Sequence, residues 1–331
     1  MSTNIAIACQ GGGSHTAFTA GALRRIIADS PDEYEIGALS GTSGGGICAL
    51  VAWAGLAAGE PEAARDNLEQ FWMDVAADWP VESWLNDFTL TNTRLWSEFG
   101  SFGVSPYRNP VARPSQRQFR RTILDHCAVD GAYENPDPPA LFIGAVDVES
   151  GEFGVFTNDE SRAAEDPETF RTVGTPDEAA TAALASAAVP TLFEAVSIGD
   201  RYYWDGLFSQ NPPIRHFMAS ADVEEKPDEI WIVRINPKRM DRKRRTVPPR
   251  SMAEIMDRRN ELSGNLSLEQ EKDTIRTVNK LQGEDPEYKH IDVKEVFLQR
   301  DLDVHSKLDR DPAFLEDLMN RGSKRAPELW E

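Results

Sequence analysis

Residues 35–59 read EIGALSGTSGGGICALVAWAGLAAG, and the fold turns on how they are read. Glu35 to Leu39 suits a short buried strand, SGTSGGG a turn, and ICALVAWAGLAAG a small-residue, apolar and therefore buried helix. The same order stands just upstream. Asn4 to Cys9 (NIAIAC) is an apolar run of strand length, and a glycine turn follows it. FTAGALRRIIADS then sets Phe18, Ala22 and Ile26 at helical spacing. Two such strand–turn–helix units within the first sixty residues predict an α/β domain with a mainly parallel central sheet.

Composition bounds the rest. A chain of 331 residues, 40% apolar and 27% charged, can bury a sizeable core as one large domain or two smaller ones. Its formal net charge of −20 disfavours nucleic-acid binding, which needs a basic face against phosphate. Acidity of this kind serves solubility. The three cysteines, Cys9, Cys48 and Cys127, show neither CxxC nor metal-ligand spacing. Cys9 and Cys48 lie in apolar surroundings as small buried side chains, which points to a reducing, cytoplasmic setting. MSTNIAIACQ lacks the basic leader and long apolar run of a secretion signal, and no stretch of 18 apolar residues would span a membrane.

Residues 60 to about 135 hold Trp72, Trp79, Trp84 and Trp96, half of the eight tryptophans, and read as an inserted helical region over the sheet. ALFIGAVDV (140–148), an ESGE turn and FGVFTN form a β-hairpin. DEAATAALASAA (177–188) is a helix stopped by Pro190, and residues 200–206 and 229–235 return to the sheet. KRMDRKRRTVPPR (238–250) is a basic linker, followed by a long amphipathic helical stretch over 251–281. The tail adds a strand (KEVFLQ) and a final helix (AFLEDLMNRGS). The expected organisation is a catalytic domain over 1–240 and a helical C-terminal extension over 241–331 packed on it.

Gly41-Thr42-Ser43-Gly44-Gly45 is a G-x-S-x-G between a strand and an apolar helix. Such glycines allow a sharp turn that exposes the Ser43 hydroxyl at a helix N-terminus, where an acyl carbonyl can approach. Gly/Ser-rich turns are also common as mere turns; the strand-to-helix context favours a nucleophile here. A serine attacking an ester creates an oxyanion that needs hydrogen-bond donors. The loop Gly11-Gly12-Gly13-Ser14 is a second strand-to-helix turn, and adjacent parallel strands would set it beside Ser43. A dinucleotide fingerprint fails because Thr16 holds the third glycine position, and no GK[ST] follows for a phosphate loop. No cofactor or metal is expected.

A base is also needed. Of His15, His126, His216, His290 and His305, only His216, in NPPIRHFM, lies near a promising segment. That segment is YYWDGLFSQNPPI, in which Asp205 ends a strand and Gly206 permits a tight turn. Flanking Tyr203 and Trp204 can desolvate the carboxylate and raise its pKa toward that of a general base. A D-G pair is usually only a turn; its company with the other two motifs is what singles it out.

GGGSHTAFTAGAL, GTSGG, SAAVPTLFEAV and YYWDGLFSQNPPI, in that order, resemble the patatin-like phospholipase family over roughly residues 4 to 235. The resemblance implies a three-layer α/β sandwich and lipid acyl hydrolysis by a Ser–Asp dyad without a catalytic histidine. On that carry-over Ser43 is the nucleophile and Asp205 the general base. Gly11, Gly12, Gly13 and Gly44 supply the oxyanion hole, and Gly41, Gly45 and Gly206 shape the turns. The sequence departs from the family where His15 and Thr16 replace a basic residue and a further glycine, and where DGL replaces DGG or DGA. Partners implied are a lipid or other acyl ester and a peripheral contact with a membrane or granule surface. Storage polyesters such as polyhydroxyalkanoates suit the same dyad. The rival readings are an α/β-hydrolase esterase with a Ser–His–Asp triad and a non-enzymatic lipid-binding protein on the same scaffold.

Overall fold

The computed structural model describes all residues except 1, 77–104, 191, 219–222, 224, 237–247, 251, 282–287, 301 and 303. Trp79, Trp84, Trp96 and the basic run from Lys238 to Arg245 therefore lie outside the described residues. Both opening units form, but the expected SGTSGGG turn shrinks to Ser43, because β2 runs on through Thr42 and α2 starts at Gly44. β1 (Thr3–Cys9) leads through the glycine turn to α1 (Ala17–Asp29), and β2 (Tyr34–Thr42) leads to α2 (Gly44–Ala57). α2 is built from small and apolar residues and is buried along nearly its whole length. It sits between the sheet and the next helices, α3 (Pro61–Val75) and α4 (Ala112–Cys127).

The hairpin is β3 (Ala140–Asp147) and β4 (Phe153–Thr157), paired antiparallel. After α5 (Glu160–Glu165) and β5 (Phe170–Thr172), α6 (Pro176–Ser186) starts where the Thr175 side chain accepts the Glu178 N–H with proline at the first turn. The antiparallel pair β6 (Val196–Ile198) and β7 (Arg201–Asp205) follows, then β8 (Glu229–Arg234). The chain ends with α7 (Met252–Leu281), β9 (Asp292–Phe297) and α8 (Pro312–Arg325).

Among the described residues nine strands make one sheet in the order β5-β4-β3-β2-β1-β8-β9, with β7 joined to β3 and β6 to β7. The five consecutive strands β3-β2-β1-β8-β9 are all parallel. The expected tail strand is β9, which extends the sheet beyond β8. One face carries Ile5, Ile7, Leu39, Leu141 and Ile143 against α1, α2, α3, α4, α6 and α8. The other carries Ala6, Ala8, Phe142, Ile230 and Ile232 against Leu268 and Ile275 of α7. This is a mainly parallel sheet flanked by helices on both faces, as expected. Burial of these side chains is worth about 1.5–3 kcal/mol for each large one, which is what holds three layers together.

Trp72 lies in the core against Phe71. All three cysteines are free and buried, and burial pushes the Cys48 and Cys127 thiols up to about 12. No helix among the described residues is long and apolar enough to cross a membrane.

Candidate active site

Two registers bring the site together. β2 pairs with β3 up to Thr42 opposite Gly144. β7 approaches the same edge of β3 from the other end and stops with Asp205 opposite Ala145. Ala145 has β4 on its other side, so β2 and β7 meet end to end along one edge. Ser43, one residue past Thr42, is thereby delivered to Asp205. At this junction a Cβ on Gly206 would collide with the Gly144 carbonyl, so only glycine lets the two strand ends close up.

Ser43 stands at φ 56°, ψ −135°, the one non-glycine residue with positive φ among those described. That backbone costs about 1–3 kcal/mol and persists where surrounding contacts impose it. Its N–H donates to Ser186 Oγ at 2.8 Å, and Ser186 donates in turn to Gly144 O at 2.6 Å. Gly41 and Gly45 admit backbone contact on either side of the turn, Gly41 against Gly45 and Gly45 against Cys9.

Asp205 is fully buried. Its N–H donates to Ala188 O (3.1 Å), and its Oδ1 accepts from Leu207 N–H (2.9 Å). Its Oδ2 is buried without a hydrogen-bond partner among the described residues. Burial pushes the carboxyl up to about 7, opposed by the neighbouring Ser43 hydroxyl and the Leu207 N–H. Hydroxyl and carboxylate are thus neighbours, with no hydrogen bond of ordinary geometry to Oδ2. Such bonds commonly tighten only when substrate is bound.

The glycine loop lies beside them because β1 and β2 are parallel with Cys9 opposite Gly41. A Cβ on Gly11 would come 2.5 Å from Thr42 O and 2.8 Å from Ser43 Cβ. The Gly11 N–H, an expected oxyanion donor, is engaged elsewhere: it donates to Asn211 Oδ1 at 2.7 Å. Gly12 packs against Ile235, and Gly13 takes φ 59° against the Lys307 backbone. Thr16, in place of a glycine, donates its hydroxyl to Gly13 O at 2.5 Å and abuts Gly44. His15 is buried with Nε2 2.7 Å from Ser306 Oγ. Burial, with Lys307 and Arg300 nearby, lowers its pKa to about 3, so it brings no cation to the loop.

His216 is held elsewhere. Its Nε2 lies 3.1 Å from Gln210 Oε1, and its ring packs on Phe170 and Phe142. It lines a cavity of about 760 Å³ together with Asn4, Gly37 and Ala140, near the N-terminal ends of β1, β2 and β3, opposite the end that carries Ser43. Burial and the Arg215 and Arg162 charges lower its pKa to about 3. His126 pairs with Asp74 and His290 with Asp292; the side chain of His305 lies outside the described residues.

The patatin-like phospholipase family model matches residues 7–218, nearly two thirds of the chain. The chain belongs to the patatin-like phospholipases. As a patatin-like phospholipase it is, in general terms, a lipid acyl hydrolase. Comparison with curated proteins finds no match. Among solved structures, VipD from Legionella pneumophila is similar at 10% identity and a TM-score of 0.41, covering 97% of this chain and 67% of that one. A chain in the heterodimeric ExoU–SpcU complex of the Pseudomonas aeruginosa type III secretion system is similar at 15% identity and a TM-score of 0.31. That match covers 98% of this patatin-like chain and 52% of the other, about half its length.

Three residues of this site escape sequence reasoning. Ser186 and Ala188 lie within SAAVPTLFEAV, and Asn211 within YYWDGLFSQNPPI, so both motifs were visible although the contacts were not.

Proposed function

We propose that the chain is a serine acyl hydrolase that cleaves carboxylic esters of lipids with Ser43 as nucleophile and Asp205 as general base. Asp205 Oδ2 takes the Ser43 proton as Oγ attacks the ester carbonyl. The N–H groups of Gly12, Gly13 and Gly44 receive the oxyanion; those of an opening helical turn have no carbonyl partner within their own helix. The tetrahedral adduct collapses to the acyl-enzyme, and the departing alkoxide takes the proton back from Asp205. Water, deprotonated by Asp205, then attacks the acyl-enzyme, and as that adduct collapses Asp205 returns the proton to Ser43 Oγ and the fatty acid is released.

One observation carries this reading: β2 and β7 end at successive residues of β3, setting a strained serine beside a buried carboxyl with a free oxygen. A carboxyl at about 7 is ionised for much of the time near neutral pH and is a stronger base than an exposed one. The histidine positions support a dyad over a triad, since His216 is committed to Gln210 and two aromatic rings.

The test is a panel of phospholipids, lysophospholipids, acylglycerols and polyhydroxyalkanoate granules, with released acid read by mass spectrometry, beside fluorophosphonate labelling of the folded protein. Fatty-acid release and labelling confined to Ser43 are expected. Absence of both would favour a lipid-binding protein, and release from granules alone would reassign the substrate.

A further inference from the structure

We infer that Asn211 is a positioning residue for the acyl site: it fixes the glycine loop through Gly11, and α7 fixes Asn211. The inference rests on the Ser43–Asp205 reading above. Asn211 is buried and stands six residues after Asp205, on the segment that leaves β7. By accepting the Gly11 N–H at 2.7 Å it ties the segment carrying the base to the turn that abuts the nucleophile. Orienting the Gly11 N–H fixes the peptide plane from which Gly12 and Gly13 depart. Three successive glycines have wide conformational freedom, so an external anchor is what gives their N–H groups one direction.

The start of the loop is pinned as well. Gln10 donates its N–H to Val233 O (3.0 Å), and its Oε1 accepts from Ile235 N–H and Asn236 N–H (3.0 Å each). Gln10 Nε2 reaches Asn265 Oδ1 of α7 at 3.2 Å. Asn211 is the matching anchor on the other side.

α7 closes behind it. A Cβ on Gly264 would come 2.8 Å from Asn211 Nδ2. Glycine is disfavoured in a helix interior, and here the bare position admits the Asn211 amide. One turn on, Ser267 Oγ donates to Ser209 O (2.7 Å), and a further turn on, buried Glu271 accepts from Arg215 N–H (2.8 Å) and Arg215 Nε (2.6 Å). A helix outside the residues matched by the family model thus braces the loop between the base and Arg215.

The test compares wild type, Asn211→Ala and Gly264→Ala on a soluble p-nitrophenyl ester and with an alkyl trifluoromethyl ketone, whose serine adduct carries an oxyanion. Asn211→Ala is expected to lose about 10- to 100-fold in kcat, the scale of a small misplacement of catalytic groups, and to weaken ketone inhibition similarly. KM should stay within about threefold, because ground-state binding is untouched. Gly264→Ala, whose methyl would press on the Asn211 amide, is expected to lower kcat with KM held within about threefold; a merely structural role would lower Tm and spare kcat. Wild-type kcat in either folded variant overturns the proposal, and Gly264→Ala alone decides if Asn211→Ala fails to fold. Ser43→Ala, run in parallel, separates the two failures: activity surviving there sinks the dyad reading itself.

Discussion

Ser186 Oγ receives the Ser43 N–H at 2.8 Å while the Ser186 hydroxyl donates to Gly144 O at 2.6 Å. Two residues later Ala188 O takes the Asp205 N–H. The end of α6 therefore holds the backbones of both Ser43 and Asp205. Ser186→Ala would strip partners from a buried N–H and a buried carbonyl, at about 1–3 kcal/mol for a group left unsatisfied. Urea denaturation should show a loss of that size, and ester hydrolysis a lower kcat as Ser43 relaxes from its positive φ.

The pH dependence follows from Asp205. Its folded pKa of about 7, against the ordinary carboxylate value of 3.8, means that folding favours the protonated form. The stability it contributes is full below about pH 4 and is lost as pH rises through about 7. Activity runs the opposite way, because the base must be ionised, so kcat/KM should climb across pH 6 to 8 with an apparent pKa near 7. Asp205→Asn, which removes the charge, should abolish hydrolysis and raise stability at pH 8 by up to roughly 4 kcal/mol. Thermal melts at pH 5 and pH 8 check it, the gain being about 2 kcal/mol at pH 5 and growing to its full size at pH 8.

His216 belongs to the packing of Phe142 and Phe170 and to Gln210. His216→Ala should lower Tm through the cavity it leaves, by the equivalent of about 1–3 kcal/mol. Its kcat/KM on a soluble ester should stay within about threefold of wild type.

Gly206→Ala places a methyl against the Gly144 carbonyl at the junction of β2, β3 and β7. Backbone on both sides cannot yield as a flexible side chain would, so a loss of about 1–3 kcal/mol or more is expected, together with a drop in kcat. A melt and a hydrolysis assay on the same preparation read both.

Much of this fold is written locally. The strand–turn–helix units, the hairpin and the tail strand carry periodicity and turn residues within a few positions of one another, and each forms, although the second turn proves to be Ser43 alone. Ser43 and Asp205 are visible for the same reason, each at the end of a strand pattern beside glycine. Their meeting is not local, because it depends on two strands abutting along a third, an arrangement with no period. Asn211 and Ser186 act through contacts across 200 and 143 positions of chain. The inward face of α7 is hidden differently: Glu271 and Lys272 are buried there as ion pairs with Arg215 and Glu295, so the helix looks more solvated in sequence than it is.

The central claim is that a serine and an aspartate, unaided by histidine, hydrolyse a lipid ester. Single-turnover acylation of a fatty-acyl p-nitrophenyl ester by Ser43→Ala, Asp205→Asn and His216→Ala measures it most directly. Losses of about 10³-fold or more in the first two, with near wild-type rates in the third, are expected. Full activity in Asp205→Asn, with activity lost in His216→Ala, would contradict the account.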